Sequence, residues 1–310
     1  MTQPKHRTFP TKSGVSIFYD WRDAVGVDWD LPAISAKADP KKCGGKDVFV
    51  KGNAKGYSRV CSLHSEDRLT WIFFRSLERS GHAAEFLVWC FPGWSDLRPQ
   101  AMREFLYWGC RALESTIDTS VDDALASLEP DQRARRTQDT ETDVAIRMAT
   151  AGVMIEAKLR SANHKTGWEK GGNDPIRTQY EKPAKALLRN SHKAQWEDIV
   201  RQFYQPMRNL MLASILGDGD LSRVGLLLIV NAKQGTKKRA FYDNKFLELQ
   251  DALILPPSQL SLRSWDDLVP WAKQFGQDLE LAIEQLETNP LLSSSDATAI
   301  RSTNKVTEQP

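Results

Sequence analysis

Two arms of alternating apolar residues, joined by a short break, constrain this chain more than any other part of it. In Thr142-Asp143-Val144-Ala145-Ile146-Arg147-Met148, the residues Val144, Ile146 and Met148 alternate with Asp143, Ala145 and Arg147. In Gly152-Val153-Met154-Ile155-Glu156-Ala157-Lys158-Leu159, the residues Val153, Ile155, Ala157 and Leu159 alternate with Met154, Glu156 and Lys158. A period of two predicts half-buried strands, and the short break between the arms predicts a β-hairpin. Pairing about Ala149 to Gly152 sets Ile146 against Ile155, Val144 against Ala157 and Asp143 against Lys158. A slip of one residue turns one apolar set to the wrong face, whereas a slip of two preserves the faces.

Glu156 shares a face with Lys158, and Asp143 lies across the hairpin from them. Directly opposed residues sit roughly 4.5–5.5 Å apart at Cβ and diagonal ones about 7–8 Å, which lets two carboxylates share one hydrated divalent cation. A hard cation such as Mg²⁺ takes oxygen ligands and stabilises charge developing on phosphorus. A lysine beside it orients an attacking water. The alternative is a solvated hairpin face that happens to carry Asp, Glu and Lys.

Asp143, twelve intervening residues and then Glu156-Ala157-Lys158 at the end of an apolar run resemble the active-site signature of the PD-(D/E)XK nuclease superfamily. With Glu141-Thr142 ahead of the aspartate, the pattern looks most like prokaryotic restriction, repair and phage-defence nucleases. One departure is that Thr142, not Pro, precedes Asp143. The resemblance implies an α/β fold: a mixed β-sheet flanked by helices, with a restriction-endonuclease-like core in the order αβββαβ, here carrying an N-terminal extension and a helical insertion.

The chain can be laid out in that order. Ser65 to Glu78 has a Ser cap, an acidic first turn and apolar positions at helical spacing, which predicts the first helix. Ala84 to Phe91 is short and apolar between Gly81 and Pro92-Gly93, and suits a first buried strand. Pro99 to Ser115 reads as an amphipathic helix within an insertion at about 94–140, with Met102, Phe105, Leu106, Trp108 and Leu113 as its apolar positions. A helix is expected to start at Asp174-Pro175, another over about Lys193 to Leu216 with Pro206 kinking or dividing it, and a closing strand over Gly225 to Lys233. Phe246 to Leu255 reads as a strand or short helix, and Ser264 caps a final helical region ending near Glu287. The expected organisation is an extension at 1–60, a nuclease core at 61–235, a C-terminal subdomain at 236–288 packing on the core, and a disordered tail at 289–310.

The resemblance also implies an acidic residue in the first helix that completes the metal shell. Glu66 is the first choice, ahead of Glu78 and Glu85; a helix-start carboxylate favoured by the dipole is the competing explanation. Some relatives place a Gln, sometimes with a Tyr, on the helix after the motif lysine, and Gln179-Tyr180 lies in the matching region. Pro183 either kinks that helix or marks a later start that leaves Gln179 in a loop.

The 310 residues suffice for one large core with insertions or for two modest domains. No apolar run approaches the ~20 residues of a membrane helix, and Met1 to Arg7 leads into no signal core, so cytoplasmic residence is expected. Cys43, Cys61, Cys90 and Cys110 show no metal-site spacing and read as reduced structural residues, and His64, His82, His164 and His192 form no ligand pair. The net charge is only +2, but Lys158 to Arg208 carries eleven Lys or Arg against five Asp or Glu, a basic rim suited to phosphates. Lys233 to Arg239 adds a second basic loop. Most of the ten tryptophans read as core anchors, with Trp71 and Trp108 on apolar helical faces. There is no internal repeat and no glycine-rich nucleotide loop, so no nucleotide cofactor is expected.

The expectation is therefore a Mg²⁺-dependent nuclease, with Mn²⁺ able to substitute, that hydrolyses DNA phosphodiester bonds. Asp143, Glu156, the Ala157 carbonyl and Glu66 would hold the metal, Lys158 would position water, and Gln179 would assist. DNA is the expected partner, with a homodimer or partner protein and no membrane. The alternative is a non-catalytic nuclease-fold subunit or scaffold in a larger nucleic-acid-processing complex.

Overall fold

A run of seven buried residues, Val224–Val230, has the character of a strand covered on both faces. The computed structural model describes residues 8–10, 16–18, 27–34, 65–94, 97, 102–114, 118–129, 142–148, 151–158, 179–233, 235–289 and 292. In chain order the strands are β1 (Thr8–Pro10), β2 (Ser16–Phe18), β3 (Met102–Tyr107), β4 (Cys110–Arg111), β5 (Val144–Met148), β6 (Gly152–Lys158), β7 (Val224–Val230) and β8 (Leu260–Ser264). The main helices are α1 (Glu66–Ser80), α2 (Ala83–Cys90), α3 (Thr119–Leu128), α4 (Glu181–Leu187), α5 (Trp196–Gln202), α6 (Tyr204–Leu216), α7 (Lys237–Ala252), α8 (Trp265–Ala272) and α9 (Glu280–Thr288).

β1 and β2 form a small antiparallel ribbon, and the other strands form one six-stranded sheet in the order β4-β3-β5-β6-β7-β8. The half from β4 to β6 is antiparallel, and β6, β7 and β8 run parallel. The chain is thus an α/β protein with a mixed open sheet flanked by helices. Alternation along the strands sorts two apolar layers. Val144, Ile146, Val153, Ile155, Ala157, Leu227 and Ile229 pack with α1, α2, α8 and α9. Ala145, Met154, Leu226, Leu228 and Val230 pack with α3 through α7.

Several local expectations change in the structure. Ala84 to Phe91 is not a strand but lies in α2, where Phe86, Leu87 and Cys90 are buried while Glu85 and Val88 are exposed. A short apolar run is compatible with either state, and here the spacing of buried positions is helical. Of the expected helix at Pro99 to Ser115, the described residues 102–114 are not helical: they contain the hairpin of β3 and β4, turning at Trp108 (φ 50°) and Gly109 (φ 80°). Two consecutive positive φ angles are the requirement of a tight primed hairpin turn, and Trp at the first of them is an unusual signal for it. Trp108 therefore anchors the core from a turn, stacked on Trp71 with 6.2 Å between ring centroids. The insertion is helical in α3, and residues 130–141 lie outside the described set.

Ser65 caps α1 as expected, its Oγ accepting from Arg68 N at 3.1 Å. The expected helix at 193–216 breaks at Phe203 into α5 and α6, with Pro206 in the first turn of α6, where its missing N–H matters least. Phe246 to Leu255 belongs mostly to α7 rather than to a strand. β8 was not anticipated; through it residues 236–288 add an edge strand beside β7. Ser264 caps α8 in a capping box with Asp267. Of the expected tail, Asn289 and Leu292 are buried in the fold, and residues 293–310 are outside the described set. The expected helix start at Asp174-Pro175 also lies outside it. From the N-terminal extension, residues 27–34 lie against α1: Trp71 Nε1 donates to Val27 O at 2.8 Å, and Arg75 pairs with Asp28 at 2.6 Å. Among the described residues no helix is long and apolar enough to cross a membrane.

Gly225 lets β7 pass beneath Trp94. A Cβ there would overlap the indole at Cζ3 and lie 3.0 Å from Cη2 and 3.2 Å from Val153 Cγ2. Gly225→Ala is expected to lower unfolding stability by about 1–3 kcal/mol, the usual penalty for overpacking a filled core. Guanidinium unfolding followed by tryptophan fluorescence measures this, and an unchanged midpoint would contradict the close packing.

Candidate active site

The register of β5 against β6 decides which polar residues meet. Val144 pairs with Ile155, Ala145 with Met154, Ile146 with Val153 and Arg147 with Gly152. Met148 N donates to Ala151 O at 2.8 Å, so the turn is tighter than the expected one. The pairing is shifted by two residues from the expected pairing, which keeps the apolar faces but changes the partners. Extended by one residue, it sets Asp143 across from Glu156 instead of Lys158. Asp143 Oδ2 accepts from Ala157 N at 2.8 Å, which fixes the aspartate at the mouth of the hairpin.

Lys158 lies at the C-terminal end of β6, level with Val230 of β7 and Ser264 of β8. The carboxyl ends of parallel strands are where open α/β sheets form ligand crevices. Lys158 Nζ is 2.5 Å from Glu156 Oε1, 3.1 Å from Glu66 Oε1 and 3.8 Å from Asp143 Oδ2. Glu66 arrives as the first residue of α1, directly after the Ser65 cap. The structure thus brings Glu66, Asp143 and Glu156 around the Lys158 ammonium. Asp143, Glu156 and Lys158 are buried, at 7%, 2% and 5% exposure, whereas the Glu66 side chain is about a quarter open.

Glu78 and Glu85 are engaged elsewhere. Glu78 pairs with Arg75 at 2.6 Å and accepts from Tyr107 OH at 2.8 Å, and Glu85 lies 3.9 Å from His82. Gln179 is partly buried just ahead of α4, and Pro183 falls in the first turn of that helix. The adjacent Tyr180 turns into a buried group with Glu129, Tyr204 and Arg208. His164 and residues 159–178 of the motif-flanking basic stretch are outside the described set. Of the described basic residues in that stretch, Arg208 is paired with Glu129, Lys185 with Glu181 and Arg201 with Glu197, so they offer less free charge than the sequence count. Of the expected second basic loop, Lys237 to Arg239 instead open helix α7, and Arg239 is paired with Asp243 and Asp267.

One further residue joins the cluster through hydrogen bonds. Asn209 of α6 donates from Nδ2 to Glu156 Oε2 at 2.8 Å, and its Oδ1 accepts from Thr142 Oγ1 at 2.8 Å. Tyr242 of α7 is close enough to feel the charges of Glu66 and Lys158, and burial first, then Glu66, raises its phenol. The sequence signal for Asn209 is a pair of polar residues, Arg208-Asn209, inside the buried run from Pro206 to Ala213.

Charge and burial compete strongly here. Burial pushes the Asp143 carboxyl well above the usual range, the Glu156 charge adds to this, and Lys158 opposes it. Burial acts against the Lys158 ammonium, but Glu156, Asp143 and Glu66 outweigh it and hold the lysine well above its ordinary value. Lys158 is thus a cation at neutral pH, able to donate but not to take a proton. The donor set of hard carboxylate oxygens fits a divalent cation, and Glu156 Oε1 is a buried oxygen facing the Lys158 ammonium at 2.5 Å. Among the described residues no three His, Cys, Asp or Glu side chains stand together as a ready metal group, so a cation would need the Ala157 carbonyl, waters or phosphate oxygens besides the carboxylates. No family model, curated protein or solved structure matches this chain.

The Asp143 shift has a defined consequence for stability without metal. Below about pH 3.9, the ordinary aspartate value, folded and unfolded chains both hold the proton. Between there and the raised folded value, the unfolded chain releases a proton that the fold retains, so stability falls as pH rises. The Lys158 contribution is constant over this window, because it is lost only above the lysine range. Asp143→Asn keeps an acceptor for Ala157 N but removes the charge. It is expected to raise the metal-free Tm by roughly 2–4 °C at pH 8 and to converge on wild type near pH 4. Scanning calorimetry across that range checks it; an Asn variant less stable than wild type at pH 8 would be inconsistent with like-charge crowding.

Proposed function

We propose that this protein is a metal-dependent nuclease that hydrolyses DNA phosphodiester bonds, with a restriction-endonuclease-like core. The observation that carries this reading is the convergence of Asp143, Glu156, Glu66 and Lys158 at the carboxyl end of the parallel strands. The order of elements supports it as well: α1, then β3, β5 and β6 as an antiparallel set, then α4 to α6, then β7 parallel to β6. With α2, β4 and α3 taken as insertions, this order is compatible with the αβββαβ sequence that the resemblance implies.

Asp143 and Glu156, with the Ala157 carbonyl and Glu66, would hold Mg²⁺ or Mn²⁺. The cation would supply Lewis-acid stabilisation of charge gathering on the phosphate. Lys158, held as an ammonium, donates to the attacking water or to a phosphate oxygen and offsets charge in the transition state. Its carboxylate partners keep it charged in a buried site, where its field is least screened. Gln179 is retained in this proposal only as a residue near the following helix that would contact substrate. DNA as substrate, and a restriction, repair or phage-defence role, rest on the resemblance.

A second reading is favoured by one feature, the placement of the Lys158 ammonium among all three carboxylates. A cluster neutralised in this way also suits a non-catalytic subunit whose polar centre is structural. Cleavage of supercoiled plasmid and of linear single-stranded DNA separates the two. In Mg²⁺ or Mn²⁺ the wild type is expected to cut, EDTA to stop it, and Asp143→Ala and Lys158→Met each to reduce the rate at least about 1000-fold, the scale on which central electrostatic groups act. Cleavage by a folded Lys158→Met protein at the wild-type rate would overturn the catalytic assignment.

A further inference from the structure

We infer that Thr142 and Asn209 form a positioning relay that holds Glu156 in the orientation the metal site needs; this rests on the nuclease reading above. The hydroxyl of Thr142 donates to Asn209 Oδ1 at 2.8 Å, and Asn209 Nδ2 donates to Glu156 Oε2 at 2.8 Å. All three residues are buried, with Asn209 only 1% exposed. An amide has one acceptor end and one donor end, so the polarity of the chain is set from both sides. The Glu156 carboxylate accepts only, which turns Nδ2 toward it; Oδ1 then faces Thr142, whose hydroxyl supplies the proton. The reversed amide would press Oδ1 against a buried carboxylate.

The consequence lies at the other oxygen. With Oε2 anchored by Asn209, the plane of the carboxylate is fixed and Oε1 faces Lys158 at 2.5 Å, on the side where Asp143 and Glu66 also converge. Neighbours that hold a ligand through its second atom commonly govern both metal affinity and ligand orientation. Helix α6 is itself held in place one residue earlier, where Arg208 pairs with buried Glu129 at 2.7 Å. The relay also gives a physical reason for the departure at position 142. A proline there has no hydroxyl and cannot begin the chain, whereas threonine joins the loop before Asp143 to the residue that orients Glu156.

The test compares wild type with Thr142→Val, which keeps shape without the hydroxyl, Thr142→Ser, which restores it, and Asn209→Asp, which replaces the donor by a repelling acceptor. Each protein is checked for folding by circular dichroism and thermal melting. It is then titrated with Mn²⁺ alone by calorimetry and assayed for plasmid cleavage, with kcat and KM separated. Thr142→Val is expected to weaken Mn²⁺ binding about 10-fold and to lower kcat with little change in KM, Thr142→Ser to return near wild type, and Asn209→Asp to lose more than either. A folded Thr142→Val protein with wild-type Mn²⁺ affinity and kcat overturns the relay. A purely structural role would lower the melting temperature while leaving Mn²⁺ affinity intact, and that outcome also overturns it. If wild type itself takes up no Mn²⁺, the metal reading of the site fails, and the relay's proposed role fails with it. That failure is visible before any substitution is compared.

Discussion

The buried ammonium of Lys158 is the group around which the rest of the site is arranged. Taking such a charge out of water is unfavourable by several kcal/mol unless partners surround it. Glu156, Glu66 and Asp143 do so from two strands and a helix. Each partner comes from a different place in the fold. Glu156 lies near the end of β6, Glu66 opens α1, and Asp143 is held at the hairpin mouth by Ala157 N. The carboxylates are in turn buried charges, and Glu156 is satisfied on its far side by Asn209. Removing the lysine would leave three carboxylates without their shared cation.

The fold supplies the rigid frame for that unit. β7 is buried along its whole length, and the parallel register from β6 to β8 aligns Lys158, Val230 and Ser264 at one end of the sheet. Two apolar layers cover the two faces, and helices from both layers send residues to this end: Glu66 from α1 and Asn209 from α6. Burial raises the Asp143 carboxyl, the Glu156 charge adds to it, and Lys158 opposes. An arrangement that crowds like charges in a low-dielectric site opposes stability and favours cation binding, a tension common where sites do chemistry.

Much of this was legible in the chain. The alternation in residues 142–159 predicts the hairpin and places Asp143, Glu156 and Lys158 on one face; Ser65 and Ser264 mark helix starts; and the run after Val224 predicts the closing strand. What was misread shares a cause. An apolar stretch such as Ala84 to Phe91 carries burial but not conformation, so α2 passed for a strand. The turn at Trp108-Gly109 lacks the Asn-Gly or Asp-Gly signal, so β3 and β4 passed for a helix. The hairpin register was off by two, because a shift of two leaves every apolar residue on its own face and local pattern is blind to it.

The residue sequence therefore settles which side chains can share a surface, because side-chain periodicity follows from backbone geometry alone. It places the carboxylates and the lysine on one face and names Glu66 as a helix-start acid. Which of them touch is set by contacts across long stretches of chain. Asn209 reaches Glu156 across 53 residues and Thr142 across 67, and Glu66 reaches Lys158 across 92. Such pairings leave no mark in local pattern. They arise because a buried charge must be matched by whatever partner the packed helices bring within about 3 Å, the hydrogen-bonding distance.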